Sequence, residues 1–169
     1  MYKRPLNIDE LKEYWNIVDG GESIENLPIC YMPPWNDICS KLEWELHLTD
    51  DGYFPKKTHA VCGGYRLVGL ASEGDLQKLA TLHRACGTDT SGTLYIGQAG
   101  ELHTRANLML RRKHQAIRIL NQIPLLDFPP ARRAIALLST IQYPKVVERD
   151  MLHAYMNSFG DTPPLNYTI

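Results

Sequence analysis

The chain has 169 residues, 44% of them hydrophobic and 22% charged, with a formal net charge of -1 when its six histidines are neutral. That is enough for one domain, or a domain with an extension, and the near-zero balance excludes a globally basic nucleic-acid binder, so any polyanion site must be built from locally clustered cations. Four cysteines (Cys30, Cys39, Cys62, Cys86) lack metal-ligand spacing and read as free thiols; no apolar run is long enough for a bilayer and no apolar segment follows the basic residues 1–5, so a cytoplasmic protein with no membrane partner is expected.

Leu11, Tyr14, Trp15 and Val18 fall at helical spacing and predict a helix over 7–18, stopped by Gly20-Gly21. Pro28, Pro33 and Pro34 mark 20–34 as a loop. Ile38, Leu42 and Trp44 predict a second helix over 36–48. Trp15, Trp35 and Trp44 read as core anchors, so residues 1–59 form an N-terminal helical extension. After a polar stretch, 60–71 reads as a strand carrying Gly63-Gly64-Tyr65. Ser72 and Asp75 resemble a capping box, and Leu76, Leu79, Ala80 and Leu82 predict a helix reaching Cys86-Gly87, with a polar loop to Gly92.

The second strand holds Tyr95, with Leu94 and Ile96 on the opposite side. Gly97 and Gly100 bracket a turn into a basic helix from Glu101 to about Arg112, which continues, or breaks and resumes, through Ile117 and Leu120. A proline-rich connector (124–130) leads to 132–139, which reads as a third, buried strand, with a helix as the alternative that its alanines leave open. Pro144 opens a last helix that runs to Phe159 and stops at Gly160; an extended tail follows.

Two charge placements stand out. On the last helix Val147, Met151, Leu152, Tyr155, Met156 and Phe159 form one apolar arc at about 100° per residue. Arg149, Asp150, His153 and Asn157 take the other side, but Glu148 projects from the middle of the arc. A carboxylate there needs a compensating arginine, hydrogen-bond cluster or metal ion; a buried ion pair with Arg132 or Arg133 is the structural alternative. On the basic helix Arg105 and Arg112 flank the inner face of Leu102, Ala106, Met109 and Leu110, where an arginine can pack its stem and turn its fork to a cleft. Arg111, Lys113 and Arg118 read as a solvated face.

Taken in order, Gly63-Gly64-Tyr65, Tyr95-Ile96-Gly97, Arg105, Glu148 and Pro164-Leu165-Asn166 resemble the motifs of the GIY-YIG nuclease superfamily. The resemblance covers roughly residues 60–167. It implies an α+β fold, a small three-stranded antiparallel sheet flanked by helices, with a helix and loop inserted at 72–92 of the 60–169 domain. It also implies an endonuclease that hydrolyses DNA phosphodiester bonds with one divalent metal, Mg²⁺ or Mn²⁺. Tyr65 and Tyr95 would face the cleft, Arg105 would contact the scissile phosphate, Glu148 would hold the metal and Asn166 would brace the site. Gly64 departs from the isoleucine or valine usual at its position, and Tyr65 and Tyr95 stand 30 positions apart, more than the compact family core uses.

One of the two tyrosines is expected to activate the water, with Tyr65 favoured. A phenol ordinarily titrates near 10, so it needs a cation or a hydrogen-bond network to act near neutrality; His103 and His114 are reserve bases, since histidine titrates in the right range. No C-terminal targeting domain is expected, which leaves residues 1–59 and 72–92 for DNA readout and suggests a homodimeric Type II restriction-like enzyme. A phage or repair nicking nuclease, a non-catalytic nucleic-acid-binding module and a protein-interaction domain are the other readings.

Overall fold

The computed structural model describes residues 34–42, 44–49, 62–111, 113–139 and 143–166; the expected helix over 7–18, with Trp15, and Cys30 lie outside them. In chain order the elements are α1 (Trp35–Lys41), β1 (Glu45–Leu48), β2 (Gly63–Gly69), β3 (Leu82–Arg84), β4 (Gly87–Asp89), β5 (Thr93–Ala99), α2 (Leu102–Leu110), α3 (Gln115–Leu120), a single 3₁₀ turn at Pro130–Arg132, β6 (Arg133–Ser139) and α4 (Pro144–Phe159). The fold is α+β, with antiparallel sheets. Where three strands are expected, the main sheet has four, in the order β1-β6-β2-β5, and β3 and β4 pair as a separate hairpin.

The fourth strand comes from a stretch expected to be helical. Trp44, Leu46 and Leu48 alternate with polar residues, which is the period of a strand. These three pack with Val68, Leu70, Ala134 and Ala136 on one face of the sheet, while Glu45 and His47 stand opposite Leu137 and Ile135 on the other. Helix α1 therefore stops at Lys41, and β1, from within residues 1–59, joins the same sheet as β2, β5 and β6.

No helix forms over 72–86. Ala71 N donates to Lys78 O and Ala80 N donates to Gly69 O, both at 2.8 Å, folding the chain back on the end of β2. Asp75 Oδ1 accepts from Gln77 N at 3.0 Å, a turn rather than a helix cap. The apolar residues explain the difference: Leu76 and Leu79 pack on one hydrophobic cluster, while Ala80 and Leu82 pack on another. A helix presents one stripe and cannot cover both. The hairpin is then tied to the end of α4, since Cys86 N donates to Phe159 O at 2.9 Å and Arg84 pairs with Asp161 at 2.8 Å.

Both faces of the sheet are covered. One face, with Tyr65, Leu67, Ile135 and Leu137, packs on α2 and α3 through Leu102, Ala106, Met109, Ile117 and Leu120. On the other, Ile96 packs with Trp35 and Ile38 of α1 and with Val147, Met151, Leu152 and Tyr155 of α4. Behind that face lies a buried polar network. Trp35 Nε1 donates to Ser91 Oγ (2.9 Å) and Thr93 Oγ1 (3.1 Å), Arg66 Nη1 donates to Thr93 Oγ1 (3.0 Å), and Asp89 accepts from Ser91 N (2.7 Å) and Tyr155 Oη (3.2 Å). Arg66 also stacks 4.2 Å over the Trp44 ring, so Trp35 and Trp44 are packing anchors as expected. Cys39 and Cys86 are free thiols, and among the described residues no helix is long and apolar enough to cross a membrane.

The last helix has the expected span, ending at Gly160 with φ 70°, a left-handed cap that glycine adopts without strain. Its burial differs from expectation at Asp150, which is 2% exposed rather than on a solvated side. Neither carboxylate oxygen has a hydrogen-bond partner among the described residues, Arg149 Nε lies 3.5 Å away, and burial pushes the carboxyl up to about 6.

Gly64 has a packing reason. A Cβ there would stand 2.3 Å from Met151 Cε and 3.2 Å from Val147 Cγ1, so the glycine lets α4 lie close on β2. Gly64→Ala should therefore cost about 1–3 kcal/mol, as overpacking does, and Met151→Ala should cost about 2–5 kcal/mol as a cavity. In the double variant the new methyl enters the vacated space, so urea midpoints should show a loss smaller than the two single losses combined; simple additivity would mean that α4 is not seated on Gly64.

Candidate active site

The site is built around a sheet edge. β5 is an outer strand, so one row of its backbone groups faces away from the other strands and needs partners. The tail supplies them. Ile96 N donates to Asn166 Oδ1 (2.9 Å), Asn166 Nδ2 donates to Ile96 O (2.8 Å), and Leu165 N donates to Leu94 O (2.9 Å). The Asn166 amide acts as one residue of an added strand. The tail is held in turn by Thr162 Oγ1, which donates to Asn166 O at 2.9 Å, and by Arg84, which donates to Thr162 O.

β5 carries a register shift opposite Leu67 and Val68, where Leu67 pairs with Tyr95 but Val68 pairs with Thr93. The extra residue is Leu94. Such a bulge sends two successive side chains to one side, and Leu94 and Tyr95 both pack against the α2–α3 side while Ile96 packs against α4. The alternation expected from sequence, with Leu94 and Ile96 together, does not hold for that reason. Nor is Gly97 a turn residue. It lies inside β5 opposite Tyr65, and a Cβ on it would stand 2.6 Å from the Tyr65 Cζ and Oη and 2.8 Å from Tyr95 Cε1. Glycine is required there to leave room for the phenols.

Beside this edge opens a cleft of about 480 Å³, and Tyr65, Tyr95, Arg105, Glu148 and Asn166 all line it. The five sequence-predicted site residues, from β2, β5, α2, α4 and the tail, thus meet at one place. His114, held in reserve as a base, lines it as well, because the basic helix breaks after Leu110 and resumes at Gln115. Lys113, expected on a solvated face, also faces the cleft, as does Gln98. His103 is buried on α2 away from the cleft lining, and the side chain of Arg112 lies outside the described residues. Nothing in the local sequence near Lys113 and His114 resembles a helix break; the glutamine Gln98 likewise gave no signal.

The three rings at the cleft floor form one group. Tyr65 and Tyr95 lie 6.0 Å apart by ring centroids, Tyr95 and His114 5.4 Å, and Tyr65 and His114 5.9 Å. His114 caps α3, its Nδ1 accepting from Ala116 N at 3.2 Å. The ring proton of the neutral imidazole is then assigned to Nε2, which donates to Tyr65 Oη at 3.0 Å. The Tyr65 and Tyr95 rings are tilted by 33° to one another. Burial holds His114 down at about 4, helped by the Arg105 charge, so it is neutral at physiological pH. Burial raises both phenols above their ordinary value, with Arg105 pulling each the other way.

Glu148 and Arg105 face the same cleft without pairing. Glu148 makes no hydrogen bond or ion pair with a described residue, and the alternative partners are engaged elsewhere: Arg132 donates to Leu70 O (3.2 Å), and Arg133 to Phe128 O and Asn121 Oδ1. Partial burial pushes the Glu148 carboxyl up, while Arg105 and Lys145 draw it down. Among the described residues no group of three His, Cys, Asp or Glu side chains is assembled to hold a metal. A lone carboxylate in an open cleft does fit a magnesium-type ion, which keeps most of its waters and takes one or two carboxylates plus substrate oxygens.

No family model matches the chain, and neither a curated protein nor a solved structure does.

Asn166→Ala would strip both partners from Ile96 at the sheet edge. The expected loss is about 1–3 kcal/mol with faster hydrogen exchange at the Ile96 amide. An unchanged exchange rate there would mean that the tail does not close the edge.

Proposed function

We propose that the protein is a metal-dependent endonuclease of the GIY-YIG kind that hydrolyses DNA phosphodiester bonds. The observation that carries this reading is the cleft itself: a guanidinium (Arg105) and a carboxylate (Glu148), neither paired with a described residue, face one space beside two neighbouring phenols. Structural ion pairs satisfy one another; here each charge is left for something between them. The motif order in the sequence supports the same reading.

A phosphodiester brings negative charge, and Arg105 offers it a planar fork whose donors match two phosphate oxygens. Glu148 would hold Mg²⁺ or Mn²⁺, which when bound would serve as a Lewis acid on the phosphate and the leaving 3′ oxygen. The attacking water must lose a proton, and Tyr65 is the better placed acceptor. Once ionised, its oxygen can receive the His114 Nε2–H. Tyr95 has no such donor among the hydrogen bonds seen. His114 itself is a poor base, because its free nitrogen is committed to the cap of α3. Asn166 contributes by fixing the backbone from which Tyr95 projects. One such cleft cuts one strand, so double-strand cleavage takes two copies, and a homodimeric restriction-like enzyme is the form proposed.

Incubation of plasmid libraries with protein and Mg²⁺ should give discrete fragments that disappear with EDTA and in Glu148→Ala. Arg105→Ala and Tyr65→Phe should each cost about 10²–10³ in rate. DNA binding that ignores EDTA and gives no product would instead indicate a non-catalytic module, and smearing a nuclease without sequence preference.

The pH dependence separates the candidate bases. Burial raises the phenols, so the ionised fraction of Tyr65, and with it the rate, should climb steadily with pH between about 6 and 9. His114, held at about 4, stays neutral through that range and should add no inflection. A break near pH 6.5 that vanishes in His114→Gln would move the base role to the histidine.

A further inference from the structure

The segment 102–126 carries five Lys/Arg and no Asp or Glu, in a chain whose formal charge is -1. Four of these cations, Arg105, Arg111, Lys113 and Arg118, lie on α2, on α3 and in the connection between them. On α2, Arg105 and Leu108 are neighbours three apart and both line the cleft, and Arg111, at the C-cap of that helix, is exposed beyond it. Lys113, in the connection, lines the cleft again. On α3, Gln115 lines the cleft, and Arg118 stands exposed one turn further along the same side. Arg111, Lys113 and Arg118 have no ion-pair partner among the described residues, whereas other surface cations do: Lys78 pairs with Asp75 and Arg84 with Asp161.

We propose that this row, Arg111 and Arg118 together with Lys113, is the track on which the phosphate backbone of a polynucleotide lies as it enters and leaves the cleft. The inference deepens the nuclease reading and rests on it. A small phosphate compound would meet only Arg105 and Lys113. Cations placed outside the cleft, about 9 Å along the helix axis from Arg105 in the case of Arg111, are useful only to a ligand that extends past it and repeats its charge. Exposed cations of this kind grip phosphates without reading bases.

The test measures binding of a duplex oligonucleotide in EDTA across roughly 50 to 200 mM salt, for the parent, Arg111→Gln, Arg118→Gln, the double variant and a Lys78→Gln control. Each phosphate contact contributes about 0.9 to the slope of log affinity against log salt. Each single variant should therefore flatten the slope by about 0.9 and the double variant by about twice that, with an affinity loss of about eightfold per contact at 0.1 M salt. The control should match the parent. Slopes for Arg111→Gln and Arg118→Gln that equal the control overturn the track. If the parent still cleaves in Mg²⁺, only the track is lost; if the parent neither binds nor cuts any polynucleotide at low salt, the nuclease reading falls with it. Binding to phosphatidylserine vesicles without binding to the duplex also overturns it, assigning the row to a lipid surface.

Discussion

The Tyr65 phenol lies against the backbone of Gly97, and the geometry of the cleft follows from that contact. Any side chain at position 97 would occupy the place of the phenol head. With glycine there, the ring of one strand reaches across to its neighbour, where it meets Tyr95 and His114. The close approach is supported from both sides. Leu94, the extra residue of the bulge, turns Tyr95 toward the same face as Tyr65, and Asn166 closes the outer edge of the strand at Ile96. Backbone contacts and cross-strand pairing position these rings, as the proposed nuclease site would require.

Two neighbouring residues of β2 separate cleft from scaffold. Tyr65 and Arg66 are consecutive, and strand alternation sends them opposite ways. Tyr65 enters the cleft, while Arg66 is buried between tryptophans and bonded to Thr93. Arg66, Thr93, Ser91, Asp89 and Trp35 bond to one another behind the sheet, with Arg66 Nε left over, so that network is structural. The cleft differs: its guanidinium and carboxylate have no hydrogen-bond or ion-pair partner among the described residues. A buried polar cluster bonded within itself stabilises and specifies; one that is not, and is open to solvent, is available for a ligand. This contrast is the physical basis for assigning function to one cluster and architecture to the other.

The hairpin β3–β4 stands in a stretch expected to be helical, and it grips the end of α4 and the tail through Cys86, Arg84 and Asp161. Those contacts set where the chain goes after Gly160, and hence where Asn166 arrives. The helix that carries Glu148 and the tail that carries Asn166 are thus fixed by one device remote from the cleft.

By itself the sequence determined the strands around Tyr65 and Tyr95, the third strand, the last helix with its glycine stop, and the identity of the five side chains that meet. These are local properties: β-type runs, a proline start, a left-handed cap, and a carboxylate out of place on an apolar arc. Tertiary structure decided what depends on partners far away in the chain. Residues 45–48 became a strand because β6 offered an edge to their alternating leucines, and 72–86 folded as turns and the strand β3 rather than a helix because its leucines serve two different clusters. His114 and Lys113 reached the cleft through a helix break that no glycine or proline announces. Local propensities are written in short stretches of sequence, but packing against a distant surface is a property of the assembled chain, and there it overrode them.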